Sequence, residues 1–120
     1  MRLLCAIVML AVSGCLCCPQ VRCAFGLDVS VSDANGSVSD FSVTVTEPGF
    51  PAKTIACPGD SACSGGVAHF VVHDSAAVTI SATAGSLSAA EFSTTPSYST
   101  PTDALGCRGC PQAQLDVTVS

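Results

Sequence analysis

The stretch Leu27-Asp28-Val29-Ser30-Val31-Ser32 decides the fold, together with Phe41-Ser42-Val43-Thr44-Val45-Thr46 beyond the break Asp33-Ala34-Asn35-Gly36-Ser37. Apolar and polar residues alternate strictly in both runs. This period of two lets one face of a strand be buried while the other meets water. Asn35-Gly36 predicts a tight hairpin between them, because those residues tolerate the positive φ angles that such turns need. Working outward, Glu47-Pro48-Gly49-Phe50-Pro51 breaks the second run, since two prolines withhold ladder donors. A short strand is expected over Lys53 to Ala56, then a glycine-rich loop from Cys57 to Gly66. Val67 to His73 reads as a strand with Ala68, Phe70 and Val72 on one face. Val78, Ile80 and Ala82 alternate through the next, and Ser88 to Ser93 forms a short sixth. A Pro/Ser/Thr-rich loop spans Thr94 to Pro111, and Leu115, Val117 and Val119 mark the last strand. No long window carries a helical period. The expectation is an all-β, seven-stranded antiparallel β-sandwich, transthyretin-like or immunoglobulin-like. Its predicted core is Phe41, Val43, Phe70, Val72, Val78, Ile80, Leu115 and Val117.

The quoted runs carry a family likeness. Asp28 to Gly36, followed by Asp40-Phe41-Ser42-Val43-Thr44-Val45, resembles the opening strand, Asp-x-x-Gly turn and second strand of the carboxypeptidase regulatory-like domain. Ala77-Val78-Thr79-Ile80-Ser81-Ala82-Thr83-Ala84-Gly85 is similar to that family's strand ending in a small residue and glycine, and Gln114 to Val119 to its last strand. The usual Gly-x-Tyr before the middle strand is replaced by Gly65-Gly66-Val67-Ala68-His69-Phe70. The resemblance implies a transthyretin-like sandwich without catalysis, in a small bacterial lipoprotein.

Composition restricts the function. The 120 residues leave room for one small domain and exclude a multidomain enzyme. Charged residues are only 11% of the chain, and Arg2, Arg22, Lys53 and Arg108 face nine acids, for a net charge of −5. Phosphate-neutralising contact with nucleic acid is thereby excluded.

Met1-Arg2 followed by ten apolar residues, Leu3 to Val12, reads as the start and core of a signal peptide, too short to span a bilayer. Val12-Ser13-Gly14-Cys15 resembles the lipobox that precedes an acylated cysteine. The expected division is therefore a signal peptide over 1–14, with lipidation at Cys15. A Cys-rich tether over 15–26 and the domain over 27–120 follow. Ala24-Phe25-Gly26 offers an alternative cleavage after residue 26, which would give a secreted protein.

Cys57, Cys63, Cys107 and Cys110 then lie in the domain, and an even number in an exported chain predicts two disulfides. Three connectivities are possible, with the local pairs 57–63 and 107–110 favoured. Cys107-Arg108-Gly109-Cys110 also carries a rival reading, a small redox or metal-binding protein. Against it, Pro111 and a strand follow where a redox motif opens a helix.

Other constellations reduce to structure. Gly59-Asp60-Ser61 resembles the nucleophile region of chymotrypsin-like proteases, but Ala62-Cys63 follows where glycines are needed. Adjacent His73-Asp74-Ser75 side chains cannot form a triad. His69 and His73 share a strand face about 13 Å apart, too far to chelate one ion, and are expected on the solvent side. Asp33, Asn35 and Asp40 lack the glutamate of a calcium loop. Asn35-Gly36-Ser37 fits a glycosylation acceptor only in a eukaryotic host. The expected function is a non-catalytic, exported or envelope-anchored module for binding, adhesion or spacing. No catalytic residues, metal or cofactor are expected. The expected partners are the membrane, through the lipid anchor, and a protein, peptide or glycan that the sequence does not identify.

Overall fold

The computed structural model describes residues 23–102 and 109–120. Residues 1–14, expected as a signal peptide, and Cys15 and Cys107 lie outside them. Among the described residues there is no helix, and none is long and apolar enough to cross a membrane. The described residues form nine strands in two sheets. The first joins β1 (Phe25–Asp33), β2 (Gly36–Val38), β5 (Cys63–Ser64), β6 (Val67–Val72) and β9 (Gln112–Thr118). The second has the order β4 (Lys53–Cys57), β3 (Phe41–Thr46), β7 (Val78–Ala84), β8 (Leu87–Thr94). The two sheets share one core, as in a β-sandwich. Leu27, Val29, Val31, Phe70, Val72 and Val117 come from the first, and Phe41, Val43, Val45, Ile55, Val78 and Ile80 from the second.

The alternation is the physical cause. Along β1 and β3 every second residue is buried, and the intervening Ser, Thr and Asp side chains stay at the surface. Burying each Val, Leu, Ile or Phe contributes about 1.5–3 kcal/mol. A slip of one residue would exchange the faces, so the pattern sets the register. Leu115 is the exception in the predicted core, since it is only partly buried against it.

The structure departs from the sequence expectations at several points. Nine strands replace seven, because β2 and β5 are short pairings hidden inside segments read as turn and loop. The sheets are not wholly antiparallel. β9 runs parallel to β1, from Gly26↔Gln112 to Ser32↔Thr118, leaving β6 and β2 to divide the other edge of β1. The first strand begins before Leu27, since Phe25 and Gly26 already pair with Val72 and Val71. In the first hairpin Asn35 does not take a positive φ. Instead Gly36 takes it, at 119°, while Asp33 Oδ1 accepts the N–H of Asn35 at 2.8 Å.

The parallel pairing also decides the cysteines. It sets the starts of β1 and β9 side by side, with Gly26 N–H donating to Pro111 O at 2.9 Å. Cys23 and Cys110 thereby meet, at a Cα–Cα distance of 5.0 Å, and form a disulfide. Cys110 is thus joined to Cys23 rather than to Cys107. The second bridge is Cys57–Cys63, spanning 6 residues.

Candidate functional site

The outer face of the first sheet gathers the polar chemistry. Asp28 stands directly across from His69 on β6 and from Gln114 on β9. Ser30 stands beside Asp116. An open groove of about 340 Å³ runs over this row, lined by Asp28, Ser30, Val67, His69, Gln114, Leu115 and Asp116. Within it Ser30 Oγ and Ser32 Oγ donate to the two oxygens of Asp116, at 3.1 and 2.9 Å. Along its wall Asp28 Oδ1 lies 2.7 Å from His69 Nδ1, and His69 Nε2 lies 2.7 Å from Ser64 Oγ. In the tautomer that donates Nδ1–H to the Asp28 carboxylate, Nε2 accepts from the serine hydroxyl.

Ser64 reaches that position through its turn. Gly65 and Gly66, at φ of 60° and 75°, close a two-residue hairpin that pairs Ser64 with Val67. Glycine enters this backbone region without the strain that a Cβ brings. His69 is on the same face two residues beyond Val67, diagonal to Ser64.

A second cluster lies where β6 ends. Glu47 is the buried charged residue of the described part, at 6% exposure. Its Oε2 accepts the backbone N–H of His73 at 2.8 Å, and its Oε1 lies 3.0 Å from His73 Nδ1. Phe50 stacks on the same imidazole, with ring centroids 3.9 Å apart and an interplanar angle of 6°. The tyrosine beside this region, Tyr98, meets Phe25 edge-on at 4.9 Å. Its buried hydroxyl has no hydrogen-bond partner among the described residues. Burial raises the Tyr98 pKa above 10.0, and the nearby Glu47 and Asp74 carboxylates raise it further.

Both histidines lie on the solvent side, opposite Phe70 and Val72, and each has its own carboxylate. The residues of the rejected motifs serve turns. Asp60 Oδ1 accepts the N–H of Ala62, and Asp74 Oδ1 that of Ala76. Among the described residues no three His, Cys, Asp or Glu side chains are placed to hold a metal. Sequence reasoning missed Ser64 and Asp28. The Gly65-Gly66 turn signals the first, whereas the second depends on the β1–β6 register, which no local pattern reveals.

No family model, curated protein or solved structure matches the chain. The two disulfides among the described residues point to an oxidising, extracytoplasmic compartment.

Proposed function

We propose that the chain is an exported module held at the cell envelope by an acylated Cys15, serving binding or spacing rather than turnover. The kinship with the carboxypeptidase regulatory-like domain, and with transthyretin- or immunoglobulin-like topology, belongs to this proposal. One observation supports it: Cys23 is bridged to Cys110, and β1 starts at Phe25, both upstream of residue 27. Cleavage after Gly26 would discard a bridge partner and two paired residues, while cleavage before Cys15 retains them all. The span between anchor and bridge is then residues 15–22, reaching at most about 28 Å. The groove, with carboxylates, an amide and a hydroxyl, suits a hydrogen-bond-donating partner such as a glycan or peptide. The redox or metal alternative is weakened, because Cys110 is bonded to Cys23 and cannot act with Cys107.

The test is Cys15→Ser in the native host. An acylated protein partitions into detergent and its variant does not. An unmodified mature N-terminus at Leu27 would refute the proposal.

A further inference from the structure

We propose that Ser64 is a reactive, acyl-accepting serine, activated by His69 as base and oriented through Asp28. This goes beyond the tethered-module reading and does not rest on it. The connectivity is the first support: hydroxyl to Nε2 at 2.7 Å, then Nδ1 to carboxylate at 2.7 Å. That is the order in which an imidazole can take the hydroxyl proton while a carboxylate steadies the resulting imidazolium. The other hydroxyls of the two sheets lack it. Thr44 bonds Thr54 and Thr79 meets Ser93, hydroxyl to hydroxyl, while Ser30 and Ser32 donate to Asp116. Among the described residues, Ser64 is the hydroxyl that hydrogen-bonds a nitrogen base.

The second support is rigidity. Asp28 and His69 are direct cross-strand partners on two paired strands, so neither depends on a loop for its position. The third is access. Ser64 is exposed. The turn that follows it is open, since a Cβ built on Gly65 or Gly66 would meet no atom within 4 Å.

The step is an acyl transfer from an activated carboxylic ester. The Ser64 oxygen forms a bond to the carbonyl carbon while its proton passes to His69 Nε2. The tetrahedral adduct collapses, breaking the bond to the leaving oxygen, which takes the proton back from Nε2. The products are an ester on Ser64 and a free alcohol, with no oxidant or metal required.

The folded chain is treated with p-nitrophenyl acetate and, separately, with a fluorophosphonate, and the modified residue is located by peptide mass mapping. The expected result is a single adduct on Ser64, absent in Ser64→Ala. The rate should fall about 10²-fold in His69→Ala, the low end of what a general base contributes. His69→Gln serves as a second variant of similar bulk, and thermal unfolding checks that each variant remains folded. Asp28 is a positioning residue, so Asp28→Asn should change the pH profile of labelling as well as its rate, which a loss of stability alone would not do. Labelling elsewhere, no labelling, or an unchanged rate in folded His69→Gln and Asp28→Asn would overturn the proposal.

Discussion

Glu47 holds His73 twice, through the backbone N–H at 2.8 Å and the ring Nδ1 at 3.0 Å. A buried carboxylate is costly unless its oxygens are satisfied, and here one residue satisfies both. The contact fastens the turn after β3, in the second sheet, to the end of β6, in the first. Phe50 from that turn then covers the imidazole. Sheet-to-sheet closure at this end therefore depends on a polar clamp as well as on the apolar core.

Glu47→Ala should accordingly destabilise the fold by about 1–3 kcal/mol, the cost of leaving a partly buried donor without its acceptor. Glu47→Gln keeps an acceptor for the backbone N–H and should lose less. Urea unfolding of both variants checks the order, and equal losses would contradict it.

Phe70→Ala probes the core itself. Phe70 is 3% exposed and lies between the sheets, so truncation should cost about 3–5 kcal/mol. Val71, its neighbour, is 56% exposed, and Val71→Ala should stay within about 0.5 kcal/mol. The contrast is a direct test of the alternation.

Much of this architecture is legible in the residues. The apolar phase of β1, β3, β6 and β7 follows from period two alone, and seven of the eight expected core residues are buried. Leu115 shares their phase but sits where the groove opens over β9. What escapes is pairing between distant strands. A parallel β1–β9 neighbour leaves no local mark, so Cys110 reads as the natural partner of Cys107, three positions away, when its partner is 87 positions away. Phe25 does continue the alternation of Leu27, Val29 and Val31. The small residues around it fit a cleavage site equally well, and that competing pattern conceals the start of the strand.

Tyr98 offers a pH test. Its pKa is raised by burial, then by Glu47 and Asp74, so the folded state holds the phenolic proton more tightly than the unfolded state. The associated stability is fully present below the unfolded value of about 10 and is lost as pH rises through the raised folded value. The chain has one tyrosine and no tryptophan, so tyrosinate absorbance reports this residue alone. Native protein should titrate above the urea-unfolded chain, and Tyr98→Phe should lessen the alkaline loss of stability. A native titration at or below the unfolded one would show the hydroxyl to be solvated.

The Cys23–Cys110 bridge should matter more than Cys57–Cys63, because stabilisation through the unfolded state grows with the loop closed. For separations of 87 and 6 residues the chain-entropy relation gives about 4–5 and about 2 kcal/mol. A chain beginning at Leu27 tests the larger contribution together with the start of β1. It lacks Cys23, leaves Cys110 unpaired, and loses the pairing of Phe25 and Gly26 with Val72 and Val71. It also loses the edge contact of Phe25 with Tyr98. Its loss relative to a chain beginning at Cys23 should therefore exceed that of Cys110→Ser in the longer chain. Small domains hold only about 5–15 kcal/mol in total, so the shorter chain should unfold at markedly lower urea. If the two chains unfold together, the bridge and the first two residues of β1 contribute nothing, and cleavage after Gly26 again becomes compatible with a stable fold.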